Sequence, residues 1–449
     1  MPADTATGRP TPTGSLSGWG RISVPGVELR SEHLEPLTRN AVLTRGLGRS
    51  YGDSSLPPPG HPTVVASPLA DRILSFDGTS GVLRVEAGYS LQQLIRDFLP
   101  RGWFTPVTPG TQFVTLGGMV AADVHGKNHH CEGTIGRHVR ALRLRVSSGD
   151  IVECSRQLEP DLFLATLGGM GLTGHILEVE FTLARVPSPW IIAERKRVPN
   201  IDAYLAALRD GATHWPMTMG WIDCLSQGAN LGRGVLLAGR WATADEAPAH
   251  YPAPITRLPV PVVCPAWVMG TTVGKMFNAS YYAVNWPKPK HITHPEPFFY
   301  PLDVLLDWNR LYGRRGFTQH QSVLPEAAGP AAVRHLLELL ARLGAASFLC
   351  VIKDCGEQGE GLLSFPMPGT SVALDLPVRD DTQRIVDTLN EFVISVGGRI
   401  YLAKDAFTRA EHFRAMEPRL DAFNAVRRKW DPHGRLRSAQ SVRIFGDQP

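Results

Sequence analysis

FTQHQSVLP (317–325), PAAVRHLLELLARLG (330–344), ASFLCVIK (346–353), TSVALDLPV (370–378), DDTQRIVDTLNEFVISVGG (380–398) and RIYLA (399–403) follow one another with short breaks. The first, third, fourth and sixth read as apolar strands. The second and fifth repeat apolar residues at helical spacing and end in glycine. A β-α-β-β-α-β succession is the ferredoxin-like order, an antiparallel sheet backed by two helices. Period two along a strand then sorts the side chains. Gln319 shares a face with Gln321; Leu349, Val351 and Lys353 share one; so do Ser371, Ala373 and Asp375. The helices must cover one face. The other is either solvated or the polar wall of a pocket.

Upstream, residues 27–186 alternate short apolar strands with glycine-rich loops. GVLRVEAG (81–88) predicts a strand and YSLQQLIRDFLPRG (89–102) an amphipathic helix ended by Gly102. IVEC (151–154) and HILEVEFTL (175–183) predict further strands. Residues 187–301 are rich in proline and aromatics and give no clear element.

Three runs are dense in small residues: TRGLGRSYGD (44–53), PGTQFVTLGGMVAADVHG (109–126) and GGMGLTG (168–174). Glycine lets a backbone approach a ligand closely, so N–H groups can converge on phosphate oxygens. Three such loops point to a large anionic ligand with a pyrophosphate; tight turns are the plain alternative. GMGLTG (169–174) matches G-x-G-x-x-G, but a helical EPDLFLATL (159–167) precedes it and a strand follows. A Rossmann site needs the reverse, so it is rejected.

HGKNHHC (125–131) gathers histidines without H-E-x-x-H or C-x-x-C spacing. A polar loop facing a cofactor or anionic substrate fits it better than a metal centre, and an exposed basic loop is the bland reading. No P-loop or G-x-S-x-G elbow occurs, which disfavours nucleotide hydrolysis and acyl transfer.

Composition sets the outer limits. With 449 residues the chain has room for two or three domains. A net charge of +4, with 43% hydrophobic and 20% charged residues, describes an ordinary globular protein without a nucleic-acid stripe. Six cysteines without a C-x-x-C pair do not make a disulfide scaffold. Residues 1–17 read as a flexible tail with no signal peptide. The most membrane-like stretch, 258–274, is short and interrupted by Pro259, Pro261 and Pro265. A cytoplasmic location, or a peripheral one at the cytoplasmic membrane, is expected.

RGLGRSYGD (45–53), the PGT and TLGGMVAADVHGKNHH segments, LGGMGLTG (167–174), WNRLYG (308–313), GGRIYLAKD (397–405) and RRKWDP (427–432) together resemble the FAD-dependent decaprenylphosphoryl-β-D-ribose 2′-oxidases. These are vanillyl-alcohol-oxidase-like flavoproteins with a PCMH-type FAD-binding domain. The likeness runs from Gly18 to Val442. It implies an α+β fold: a two-part FAD-binding domain, 18–187 and 399–449, with a substrate domain inserted at 188–398.

The resemblance also implies roles. FAD would be contacted by Thr44, Arg45, Gly46, Leu47, Gly48, Arg49, Ser50, Tyr51, Gly52, Asp53, Ser54, Gly110, Thr115, Leu116, Gly117, Gly118, Ala122, Asp123, Val124, His125, Ile176 and Tyr401. Lys404, His125 and Gln321 would be catalytic, with Lys404 stabilising charge on the reduced flavin. Lys127, Gln319, Lys353, Ser371 and Ala373 would meet the substrate. Ser371 stands where the family often has Asn, and Ala373 where it often has Cys. Many relatives attach FAD through a histidine of the first loop; this chain offers Tyr51 there, so non-covalent FAD is expected, with Cys131 as the other residue to check.

The implied reaction is oxidation of the 2′-hydroxyl of a prenyl-phosphoryl-ribose, half of an epimerisation that feeds cell-wall arabinan. An NADH-dependent keto-reductase partner and a monomeric enzyme are expected. Residues 258–269 with Trp267, then Tyr281, Tyr282, Trp286, Lys288, Lys290 and His291, could touch a membrane surface. The competing readings are a soluble alditol or aldonolactone oxidase, a flavin-binding protein without turnover, and a metal hydrolase built on the histidine loop.

Overall fold

The computed structural model describes residues 9–10, 14–345 and 347–448. The fold is mixed α and β with antiparallel sheets. The largest has eight strands in the order Lys288–Thr293, Ile191–Val198, Gly234–Trp241, Met217–Ile222, Cys350–Cys355, Gly369–Pro377, Phe317–Pro325 and Arg399–Ile400. Every neighbouring pair in it is antiparallel.

Helices Gly329–Leu343 and Thr382–Ser395 lie on one face of this sheet. They bury Val333, Leu336, Leu337 and Leu340, and Ile385, Val386, Leu389 and Val393. These meet Ile352, Val372, Leu374 and Leu376 in one core. Each fully buried aliphatic side chain contributes about 1.5–3 kcal/mol of transfer free energy. The opposite face carries the polar residues, so strand alternation has separated a structural from a functional side.

The stretch 187–301, which had given no clear element, supplies four of the eight strands. Its helix Ile201–His214 is capped by the Asn200 side chain and buries Ile201, Tyr204, Leu205 and Leu208. That cap and spacing were present in the sequence, hidden among prolines.

RIYLA is corrected as well. Only Arg399–Ile400 is strand; the Lys404 N–H then bonds the Tyr401 carbonyl in a turn. Of the expected tail, residues 1–8 and 11–13 lie outside the described residues. Gly14–Ser17 pairs with Ser23–Arg30.

A second body precedes the large sheet. Ser23–Arg30 and Thr44–Arg45 flank Thr63–Ala66 in parallel. An antiparallel sheet follows, ordered Ile151–Ser155, Val139–Arg145, His175–Thr182, Val82–Glu86 and Ile73–Phe76. Helix Leu91–Phe98 packs beneath it, started by a Ser90–Gln93 capping box and stopped after a short 3-10 turn by Gly102 at φ +76°. The first glycine-rich run leaves the end of Thr44–Arg45 directly. No helix among the described residues is long and apolar enough to cross a membrane.

Candidate active site

The polar face of the large sheet is built by register. Gln319 lies opposite Asp375, Gln321 opposite Ala373, and Lys353 opposite Ser371. Gln321 Nε2 is 3.0 Å from His125 Nε2 and 3.3 Å from Ser371 Oγ. Gln319 Nε2 donates to Asp375 Oδ1 at 2.6 Å, and the Tyr312 hydroxyl donates to Oδ2 at 2.7 Å. All of these side chains are buried except that of Lys353, which is half-buried.

Cations converge on this wall. Lys404 Nζ sits 3.7 Å from the centre of the Tyr51 ring, a cation–π contact. Lys127 Nζ donates to the Phe299 carbonyl at 2.9 Å. Burial pushes both ammonium groups down to about 7, and Lys353 to about 8. Lys353 lowers the other two further by repulsion; Asp375 opposes the shift at Lys404 and Asp303 opposes it at Lys127. Burial also holds His125 well below the usual histidine range, followed by the fields of Lys353, His129 and Lys404. The wall is therefore a set of donors and cations with the buried carboxylates of Asp375 and Asp303 beside them.

His125 is a neutral imidazole in this setting. With the Gln321 amide donating to Nε2, the ring proton is assigned to Nδ1, a buried atom without a protein partner. His129 was not singled out by sequence reasoning. Its Nδ1 accepts the Gly356 N–H at 3.0 Å, and its ring centre is 6.2 Å from that of His125. Tyr312, Asp375 and the Tyr300–Thr108 hydroxyl pair at 2.6 Å were missed too. Strand alternation placed Asp375 on the right face, but nothing local marked it as a site residue.

The three glycine-rich runs divide the work unequally. In the first, the N–H groups of Gly46, Leu47, Gly48, Arg49 and Ser50 have no acceptor among the described residues. A Cβ on Gly46 would lie 2.3 Å from Thr115 Oγ1, and one on Gly52 would lie 1.7 Å from the Asp405 carbonyl oxygen. Arg49 stacks over Trp19 at 4.1 Å, and Leu47 is exposed.

In the second run, the amides of Leu116, Gly117 and Gly118 are already bonded to Tyr89, Ala87 and the Thr115 hydroxyl. These amides brace the run against the segment before helix Leu91–Phe98 and against its own Thr115, while Gly110 faces open space. The third run is partly committed within the protein, although Gly171 faces open space. Its Gly168 and Met170 amides bond the Val120 and Ala121 carbonyls, and a Cβ on Gly169 would meet the Ala165 oxygen at 2.1 Å. It braces helix Leu116–Ala121.

Several expected cofactor residues have committed side chains. Thr44 Oγ1 bonds His175 at 2.7 Å, and Arg45 Nη2 donates to the Ser17 carbonyl at 3.0 Å. Both oxygens of Asp53 are taken by Arg443, and those of Asp123 by the Gly136 N–H and the Ser364 hydroxyl. These side chains are engaged within the protein, although Arg45 Nη1 keeps no hydrogen-bond partner. Val124 and Ile176 sit in the core, and the Tyr401 hydroxyl donates to the Ala122 carbonyl at 2.8 Å, its ring centre 4.9 Å from that of His125. The Cys131 thiol lies on the surface.

A FAD binding domain family matches residues 37–155. The residues present fit that cofactor: five open amides on one loop suit a pyrophosphate. Ser54 and Ser55 add buried hydroxyls without a protein partner. A cytokinin dehydrogenase 4 of Arabidopsis thaliana is 25% identical over 40% of this chain and 35% of its own length. An uncharacterized protein of Streptomyces coelicolor is 32% identical over 76% of this chain and 96% of its own. A decaprenylphosphoryl-β-D-ribose oxidase of Mycolicibacterium smegmatis is 35% identical over 97% of this chain and 98% of its own. With its cofactor loop, donor-lined sheet and full-length likeness in agreement, this chain belongs to the FAD-binding decaprenylphosphoryl-β-D-ribose oxidase family.

Proposed function

We propose that the protein is an FAD-dependent oxidoreductase that converts the 2′-hydroxyl of a prenyl-phosphoryl-ribose to the 2′-ketone. The observation that carries this reading is the wall of Lys127, Lys353, Lys404, His125 and Gln321, which offers donors and positive charge to an anionic, hydroxyl-rich ligand. Lys127 and Lys353 hold the phosphate, and Gln319 and Gln321 orient sugar hydroxyls. Lys404 supplies positive charge where negative charge accumulates during hydride transfer. When bound, FAD accepts the hydride. Burial under the sheet excludes water from these contacts, which strengthens each of them.

Residues 18–187 with 399–449 form the cofactor part and 188–398 the substrate part, the latter on a ferredoxin-like unit. The succession and pairing from Phe317–Pro325 to Arg399–Ile400 support that assignment. FAD is held without a covalent bond, since the first loop carries no histidine and Cys131 faces outward. An NADH-dependent reductase consumes the keto sugar.

A membrane-facing surface completes the reading. Trp267, Met276, Val284 and Trp286 are 68–70% exposed, next to Lys275, Lys288 and Lys290, and residues 247–295 contain no Asp or Glu. Apolar side chains with lysines suit an anionic lipid surface, from which a prenyl tail would be drawn. The test is anaerobic mixing with prenyl-phosphoryl-ribose. Bleaching of the flavin absorption supports the reading; bleaching by free sugars alone would replace it with a soluble alditol oxidase.

A further inference from the structure

Asp375 is 0% exposed, and among the described residues no Lys or Arg lies within ion-pair distance of it. Its carboxylate is held by two neutral donors, Tyr312 and Gln319, and its own N–H bonds the Ser347 hydroxyl at 3.2 Å. A buried charge without a direct counter-ion is costly. An asparagine would serve a purely structural hub at lower cost.

Lys404 has the complementary problem. Its ammonium makes no ion pair among the described residues and rests on the Tyr51 ring. The two groups are tied through one strand: the Gln319 N–H and the Thr318 hydroxyl both lie 3.4 Å from the Lys404 carbonyl oxygen, while the Gln319 side chain reaches Asp375.

We propose that Asp375 is a positioning residue of the oxidation site, the fixed negative charge that keeps Lys404 a cation over Tyr51. The charged and titratable groups facing Lys404 are Asp375, Lys353, His125 and Tyr51; of these, Asp375 is the one carboxylate. Burial pushes Asp375 up to about 6, and the Tyr312 and Gln319 hydrogen bonds and Lys404 pull it back. Two hydrogen-bond donors and a nearby cation all favour its ionised form. Tyr312 stacks on Phe317 with ring centres 4.1 Å apart, and Phe317 meets Tyr51 at 5.2 Å. One aromatic cluster thereby connects the partner of the carboxylate to the ring beneath the ammonium.

The inference rests on the proposed role of Lys404 beside the flavin, so the experiment separates the two. Sulfite binding to the FAD-loaded protein, followed by flavin absorbance across pH, reports positive charge near the flavin without any sugar substrate. Lys404→Met should weaken sulfite binding at least tenfold at neutral pH; no change would overturn the role of Lys404 itself. With that established, Asp375→Asn should move the alkaline loss of sulfite affinity to lower pH by about one unit, while Asp375→Glu stays close to the parent. An Asn variant that titrates like the parent overturns the proposal. If Asp375→Asn does not fold, Asp375→Ser removes the same charge with a smaller side chain. It should give the same shift, and an unshifted curve for it overturns the proposal equally.

Discussion

Gln321 and His125 meet across the boundary between the large sheet and the second glycine-rich run, side-chain nitrogen to ring nitrogen at 3.0 Å. The contact fixes the tautomer of a buried imidazole and holds the glutamine's carbonyl away from the ring. Gln321→Leu keeps the volume and removes the donor, leaving the buried Nε2 unsatisfied, a cost of about 1–3 kcal/mol. Flavin content should stay at the parent level while kcat/KM falls by about 10- to 100-fold. Stopped-flow reduction of the purified variant checks both.

Gly52 and Gly60 make a paired test of the first loop. A Cβ on Gly52 would overlap the Asp405 carbonyl at 1.7 Å, backbone against backbone, whereas Gly60 faces open space and is limited only by its φ of +81°. Gly52→Ala should cost more than about 3 kcal/mol and lose FAD, because the two segments must part. Gly60→Ala should cost about 1 kcal/mol and keep it. Melting temperature and flavin-to-protein ratio distinguish them.

The lysine cluster predicts two opposite pH trends. Lys127 and Lys404 at about 7 and Lys353 at about 8 are held below the usual lysine range by burial. Unfolded lysines bind more protons than these do as pH rises from 7 toward 10. Stability of the ligand-free protein should therefore increase with pH across that window, by up to about 1.4 kcal/mol per pH unit for each lysine. Affinity for a phosphate-bearing substrate should decline over the same range as the ammonium charge is lost. Thermal melts and KM measured between pH 6.5 and about 9 read the two separately.

How much of this was legible follows from what kind of signal each feature leaves. Strand alternation paired Gln319 with Gln321, Lys353 with Val351, and Ser371 with Asp375 on a face of each strand, because period two is local; that the three faces form one wall follows only from the register. The partners of His125 are not local: Gln321 is remote in sequence, and only the fold joins them. Asp375 and Tyr312 were opaque for the same reason. The glycine runs were visible as composition, yet which one keeps open amides depends on whether a neighbouring carbonyl already accepts them. Helix Ile201–His214 was legible in principle through Asn200 and its apolar spacing; the surrounding prolines masked it.

Cofactor attachment has a direct readout. Tyr51 is buried against Trp308 and Phe317 and carries Lys404 on its ring, and Cys131 is exposed. Neither offers a histidine-type linkage. Precipitating the holoprotein with acid should leave a colourless pellet and a yellow supernatant; colour in the pellet would refute non-covalent binding.

The exposed face around Trp267 and Trp286 gives the last test. Arg197 stacks on Trp286 at 4.7 Å, so that indole is held outward by a cation instead of folding onto the core. Lys288 and Lys290 lie on the neighbouring edge strand, Lys288–Thr293. Each lysine near an anionic surface is worth about 1 kcal/mol. Lys288→Glu with Lys290→Glu should therefore weaken binding to phosphatidylserine vesicles by at least about 25-fold, while binding to neutral vesicles changes little. Trp267→Ser with Trp286→Ser should weaken both. Turnover of a short-tailed, water-soluble substrate should be untouched in either double variant, because neither pair reaches the wall of Gln321, Lys353 and Lys404. Vesicle binding that is unchanged in both variants would remove the membrane role from this face.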